Sequence, residues 1–451
     1  MKSYSMCITR AMFSRYLLKH AQRPGHQGKL RLLEGSSPSC NGHCYLRLHG
    51  HNVRWATTTT NPDDAVPMFN PKRAAVLTKM SRYEYERRLH SRLSEKEFKA
   101  FLESKDSDYE GLLVRHHNHL TTVETIKKTL ESKNIETRIL QRFDFNSDVI
   151  DWADAIFTAG GDGTYLLASS KFVNKDKPLI GLNTDPDKSE GHLLLPKRQY
   201  PASNFAAALQ RMLDGDFRWR YLQRIQVTMG GQHSNDDAVE LHDQQLQFPE
   251  HRFVEHIKES EEERHPKSVS CNVPPPRVLP VFALNEVFIG ESLSSRVSYY
   301  EFSEDDGPKE KQKSSGITIC TGTGSSSWHF HINHLPAKSV RDVLRIANSR
   351  TCSSFPVDDW QTMEAISDEF NSSLRFDSST PLMAYTIRDP VVNGVFHVSN
   401  PRNFAKKIRI RSRMWDACLV IDGGISFQFN DGAIATFEIA EGNAIRTVDF
   451  D

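Results

Sequence analysis

Gly160-Gly161-Asp162-Gly163-Thr164 places three glycines, a carboxylate and a hydroxyl in one short run. The apolar stretch Ala155–Ala159 before it reads as a buried strand. Tyr165–Lys171 after it reads as the start of a helix. A strand, a glycine turn and a helix N-terminus together make an anion site, because free amides and the helix dipole both favour negative charge there. Glycine also lets a ligand approach the backbone closely. The central Asp162 is a poor phosphate ligand but a good proton acceptor for a hydroxyl beside a phosphate. The chemistry expected of this loop is therefore phosphoryl transfer to an alcohol, with an ordinary strand–turn–helix as the plain alternative.

Three further clusters could serve such a reaction. In Ala283-Leu284-Asn285-Glu286, polar residues close an apolar strand. An amide there can meet an adenine edge and a carboxylate can accept from ribose hydroxyls, although a strand-end turn explains the pair equally well. Thr321-Gly322-Thr323-Gly324-Ser325-Ser326-Ser327-Trp328 is a hydroxyl-rich glycine loop ending in an aromatic. It suits phosphate or ribose, with Trp328 available to stack a base, or it is a turn with a core Trp. Asp422-Gly423-Gly424 is an acidic turn between strands, which by itself reads as a hairpin.

The elements that must position these residues fall into two patterns. Over 72–215 strands and helices alternate, which implies a parallel α/β domain. Strands are expected at 74–78, 137–140, 155–159 and 178–183, and helices over 82–113, 121–132 and 202–213. Over 216–451 strands dominate, at 219–229, 281–290, 297–304, 315–320, 406–412, 417–421, 425–429 and 433–439. Many of them alternate apolar and polar residues, as expected of a mainly antiparallel β domain. A polar insertion at 231–278 and a helical insertion at 337–375 interrupt it.

Composition bounds the function class. Of 451 residues, 38% are hydrophobic and 25% charged, as expected of a soluble globular protein. No apolar stretch approaches the roughly 18 residues of a membrane helix. Residues 1–62 carry nine Lys/Arg and one acid, Glu34, which leaves the remainder with a net charge of −8. Such a body is not a nucleic-acid binder on charge grounds. The basic leader, with Arg10, Arg15, Lys19 and Arg23 among Met12, Phe13, Tyr16 and Leu17, resembles a mitochondrial transit peptide. The seven scattered cysteines read as reduced thiols. Neither Cys40, Cys44 and their neighbouring histidines nor His116-His117-Asn118-His119 has a metal-site spacing, and no metal-ligating residue is assigned. The histidine run is expected to begin or cap the helix over 121–132.

In order along the chain, the GGDG loop, the Asn-Glu pair, the Thr-x-Thr-Gly-Ser loop and the late Asp-Gly turn resemble the NAD kinases. The longer blocks Gly181–Leu193, Leu284–Tyr300, Lys311–Gly324 and Arg411–Gly424 resemble the mitochondrial branch of that family. The resemblance covers about 72–450. It implies an α/β N-terminal domain and a mainly antiparallel β C-terminal domain, the two-domain fold shared with diacylglycerol kinases. It also implies NAD and ATP as substrates, Mg²⁺ with ATP, a homodimer and the mitochondrial matrix. Asp162 would then take the proton of the adenosine ribose 2′-hydroxyl as the catalytic base. Gly160, Gly161 and Gly163, with Thr164, would cradle the ATP phosphates. Asn285 and Glu286 would hold the adenosine moiety of NAD. Thr321, Thr323, Gly324 and Ser325 would line the nucleotide site, which Asp422 would help to shape. This chain departs from general NAD kinases in Ser326-Ser327-Trp328, where they carry Thr-Ala-Tyr, and in the longer segment around Asp185. The absence of GxxxxGK[ST], HRD and DFG argues against P-loop ATPases and protein kinases. The competing expectations are a lipid kinase of the diacylglycerol or sphingosine type, which shares GGDGT, and a non-catalytic NAD(P)-binding regulator.

Overall fold

The computed structural model describes residues 68–171, 176–231, 234–247, 274–394, 396, 398, 400–440 and 442–450. The leader and the centre of the 231–278 insertion lie outside the described residues. Among the described residues no helix is long and apolar enough to cross a membrane.

The first part of the described chain runs β1 (Arg73–Thr78), α1 (Arg82–Leu89), α2 (Glu95–Ser104), α3 (Tyr109–Glu131), β2 (Glu136–Leu140), α4 (Ser147–Trp152), β3 (Ala155–Gly160), α5 (Asp162–Ser170), β4 (Leu179–Asn183) and α6 (Phe205–Leu213). Its four strands are all parallel, in the order β2-β1-β3-β4. Side chains alternate across a strand. Ala74 and Val76 accordingly pack with Val123, Ile126 and Leu130 of α3, whereas Ala75 and Leu77 pack with Tyr165 and Ala168 of α5. Both faces are covered, so β1, β3 and β4 read as near-continuous apolar runs, whereas the edge strand β2 does not. From β1 the chain proceeds to one side of the sheet and from β3 to the other. The crevice beyond the carboxyl ends of β1 and β3 is thus a topological switch point, where open α/β sheets bind ligands.

The chain continues through β5 (Arg218–Leu222), β6 (Ile225–Gly230), β7 (Val239–Glu240), α7 (Leu241–Gln247), β8 (Arg277–Val278), β9 (Glu286–Glu291), β10 (Ser298–Glu304), β11 (Glu310–Ser314) and β12 (Ile317–Cys320). It then forms α8 (Trp328–Asn333), α9 (Ala337–Arg350), α10 (Trp360–Ser372), β13 (Met383–Ile387), β14 (Arg402–Ala405), β15 (Lys407–Ser412), β16 (Ala417–Ile421), β17 (Ile425–Gln428), β18 (Ile434–Ile439) and β19 (Ile445–Asp449). Two antiparallel sheets result, β11-β10-β15-β18-β6-β8 and β14-β13-β12-β9-β16-β17-β7. They share one core, to which Val227, Phe302, Ile410 and Phe437 contribute from the first sheet and Val287, Ile319, Tyr385 and Leu419 from the second.

Two sequence expectations need correction. The strand expected over 219–229 is two strands, because β5 pairs with β19 while β6 pairs with β18, in different sheets. The histidine run neither begins nor caps its helix. It sits inside α3, which starts at Tyr109 behind the cap Asp108, whose side chain accepts from the Gly111 amide. The 231–278 insertion supplies an edge strand to each β sheet, β7 beside β17 and β8 beside β6. In addition, the C-terminal strand β19 returns to the first domain, where Val448 and Phe450 join the core of α3 and α6.

Candidate active site

A cleft of about 660 Å³ opens at the switch point. Thr78, Lys79 and Met80 reach it from the end of β1, and Gly161, Gly163 and Thr164 from the end of β3. Asp422, Gly423 and Gly424 of the β16–β17 turn line it from the β domain. Two of the predicted motifs, GGDGT and the Asp-Gly turn, therefore border one cavity. Gly161 is the N-cap of α5 and makes no side-chain cap, and Asp162 to Thr164 form the first helical turn. The early amides of such a turn have no intrahelical partner.

The glycines of the loop differ in what holds them. Gly160 is buried, and a Cβ there would lie 2.2 Å from Thr164 Oγ1. A Cβ on Gly163 would meet nothing within 4 Å. Packing accounts for Gly160, whereas no packing contact among the described residues accounts for Gly163, which is exposed at the cleft.

Asp162 is half-buried, at the first helical position beyond the carboxyl end of β3. Its carboxylate accepts from the backbone amides of His192 at 3.1 Å and Leu193 at 2.9 Å. The segment after β4 thus fixes the orientation of the carboxylate. The turn that brings these amides round contains Gly191 at φ +70°, where a Cβ would also press Asn183 Nδ2 at 2.8 Å. Sequence reasoning assigned no role to these amides, since a backbone donor has no residue signature.

The remaining motifs converge one layer behind the cleft. β9 lies between β12 and β16, antiparallel to both. Its start therefore adjoins their ends, which brings Asn285-Glu286, Thr321 and Asp422 to one edge. Asp422 adopts φ +49° and Gly423 φ +65° in the tight hairpin turn. The Asp422 carboxylate accepts from the amides of Leu284 (2.8 Å), Asn285 (2.8 Å) and Glu286 (3.1 Å). Thr321 donates from Oγ1 to the Leu284 carbonyl at 2.5 Å and accepts from the Gly324 amide at 3.2 Å. Gly324 is pressed so closely on the Asn285 backbone that a Cβ would sit 2.1 Å from its carbonyl oxygen. Ser325 Oγ donates to the Gly322 carbonyl and accepts from the Phe376 amide. Trp328 is 51% exposed, with the Arg388 guanidinium 5.7 Å from its ring centroid.

Three buried polar atoms at this edge have no hydrogen-bond partner among the described residues: Asn285 Oδ1, Glu286 Oε2 and Thr323 Oγ1. Folded proteins pair nearly all such atoms. Burial pushes the Glu286 carboxyl up to about 8, with the nearby Asp422 charge acting in the same direction. Burial also raises Asp422, to about 6, against the pull of its three amide donors and the Arg224 charge. Arg224 is fully buried and donates from Nη1 to the Ser169 carbonyl at 3.0 Å. It thereby ties the last turn of α5 to the Asp422 edge, and α5 and Leu284 share a core.

Charge in the cleft is mixed. Lys79 pairs with Asp185 at 3.3 Å, and Arg142 pairs with Glu240 and Asp243, each at 2.5 Å. The last two acids belong to the 231–278 insertion, so this segment forms part of the cleft wall. Among the described residues no group of three His, Cys, Asp or Glu is placed to hold a metal ion.

The model of the ATP-NAD kinase N-terminal domain family matches residues 60–217. The mitochondrial NAD kinase 2 of Rattus norvegicus is 47% identical over 382 residues, covering 84% of this chain and 88% of its own length. The Homo sapiens protein of the same name is 47% identical, with 84% of each chain covered. Among solved structures, an NAD kinase from Archaeoglobus fulgidus in complex with ATP aligns at a TM-score of 0.44 and 16% identity, covering 84% of this chain and 93% of its own. By its identity to these relatives over most of its length, the chain belongs to the NAD kinase family.

Proposed function

We propose that this chain transfers a phosphoryl group from ATP to the 2′-hydroxyl of the adenosine ribose of NAD, giving NADP. The observation that carries the reading is the trio of unpartnered buried atoms on Asn285, Glu286 and Thr323. A dinucleotide offers the amino groups and hydroxyls that would satisfy them. The exposed Gly163, with no packing partner, and the free amides of the first turn of α5 suit the donor phosphates.

Phosphoryl transfer is mainly positioning and electrostatic stabilisation. Asp162, oriented by the His192 and Leu193 amides, would accept the hydroxyl proton. Lys79, at the end of β1, would meet donor phosphate charge. Mg²⁺ bound with ATP would neutralise that charge. Such an ion needs only one or two protein carboxylates beside the phosphates, and Asp185 in the cleft fits that part. Residues 1–62 would direct the protein to mitochondria, in agreement with the names of the relatives, and we place it in the matrix. A homodimer is the assembly implied by the family resemblance, which sedimentation of the purified chain would test.

The test is to incubate the full chain with NAD, ATP and Mg²⁺ and read NADP with an NADP-specific dehydrogenase. NADP formation is the expected result. NAD binding without turnover would leave a non-catalytic binding protein. Phosphorylation of diacylglycerol or sphingosine in place of NAD would overturn the acceptor assignment.

A further inference from the structure

The histidine run in α3 has no part in the reaction as described, yet two of its members point at the site. Residues three apart share a helix face. His116 and His119 both face the connection between β1 and α1, residues 78–81. His119 is 2% exposed. Its Nε2 lies 2.8 Å from Thr78 Oγ1 and its Nδ1 lies 3.0 Å from Thr184 Oγ1. One turn earlier, His116 Nδ1 lies 2.7 Å from Ser81 Oγ, the side chain that caps α1. Thr78 ends β1 and Thr184 follows β4, the two strands that flank β3. The His119 imidazole therefore joins the strands on either side of the phosphate loop.

The residue following each threonine faces the cleft. Lys79 and Asp185 are those residues, and they pair with each other. The backbone repeats the arrangement: the Lys79 amide donates to the Ala159 carbonyl, and the Thr184 amide donates to the Gly160 carbonyl. We propose that His116 and His119 are positioning residues for the phosphoryl donor, clasping the β1–α1 connection so that Lys79 is held at the phosphate loop. The proposal rests on the NAD kinase reading. A lysine stem is long and flexible, so the place of its ammonium depends on how firmly its backbone is fixed. Here the residues on both sides of the short connection are gripped by imidazoles from a helix that is itself packed on the sheet. Burial, and the Lys79 charge beside it, lower the pKa of His119 to about 4. The neutral ring has one donor and one acceptor, which matches its two hydroxyl partners.

The experiment compares the full-length protein with His119→Ala, His119→Gln, Thr184→Val and the double variant His119→Ala/Thr184→Val. Steady-state kinetics give kcat and KM for each substrate, calorimetry gives the affinity for ATP, and thermal unfolding confirms that each protein is folded. Loss of the clasp should weaken ATP, in both KM and Kd, by about tenfold or more, the scale of one or two lost hydrogen bonds, with the KM for NAD little changed. His119→Gln should recover part of the loss. The double variant should be no weaker than His119→Ala, because both remove the same contact. Folded variants that bind and use ATP like the wild type, even with a lower Tm, would make the histidines purely structural. Equal weakening of both substrates would also overturn the proposal. If His119→Ala fails to fold, Thr184→Val, which removes a single hydroxyl, decides the matter. If the wild type makes no NADP, the activity reading fails, and the ATP affinities still decide the clasp.

Discussion

Gly163→Ala separates what the phosphate loop does for the fold from what it does for a ligand. Outside its own helical turn, a methyl at this position would meet no atom of the described residues within 4 Å, and the backbone has no positive φ there. The residue occupies the second position of α5. Replacing an unstrained helical glycine by alanine stabilises by about 0.5–1 kcal/mol. In a chain of this size, that should leave Tm unchanged or raise it by roughly 1–2 °C. The same methyl would stand over the amides offered to the donor phosphates. A hydrogen bond to a charged group contributes about 1.5–3 kcal/mol, so displacing one should weaken ATP about 10- to 100-fold. The assay pairs a thermal melt with the KM and calorimetric Kd for ATP. A variant at least as stable as the wild type but much weaker for ATP is the expected outcome. Unchanged ATP affinity would show that the donor phosphates do not approach this turn, and the loop assignment would fall.

The Asn285 edge yields two further predictions. Gly324→Ala would drive a methyl into the Asn285 carbonyl at 2.1 Å, against backbone that has little room to yield. It should cost about 1–3 kcal/mol of stability and impair NAD binding, as denaturant titration and calorimetry would show, and a neutral result would mean that the two loops are not in contact. Glu286 gives a pH dependence. Its folded-state pKa of about 8 lies above its ordinary 4.5. Its contribution to stability is therefore full below about pH 4.5 and is lost as the pH rises through about 8. Glu286→Gln should flatten the stability profile of the ligand-free protein between about pH 5 and 8, whereas parallel profiles for variant and wild type would contradict the burial argument.

The sequence disclosed local features and concealed those that depend on distant pairing. The β3–loop–α5 unit was legible because a fully buried parallel strand is an unbroken apolar run, and the glycines mark where it ends. The Asn-Glu, Thr-Gly and Asp-Gly motifs were each visible, but their meeting was not, since it depends on β9 lying between β12 and β16. Across 219–229 Trp219, Tyr221, Ile225, Val227 and Met229 share one alternation, and only its lapse at Leu222-Gln223-Arg224 marks the break before Ile225, where the chain changes sheets. The end of helix α3 is legible from Val123, Ile126 and Leu130, while its continuity through 114–120 is hidden because the residue buried there is His119 and not an aliphatic side chain. The donors that orient Asp162 are backbone amides, and Gly191 was their one visible trace.

The central claim is that Asp162 is the base of an NAD kinase reaction. Its most direct test is NADP formation by the full chain, with NAD, ATP and Mg²⁺, measured for the wild type and for Asp162→Asn. The variant should keep its fold and its NAD affinity and lose at least ~10²-fold in turnover, the scale of a lost general base. A variant that turns over at a rate near that of the wild type would contradict this claim.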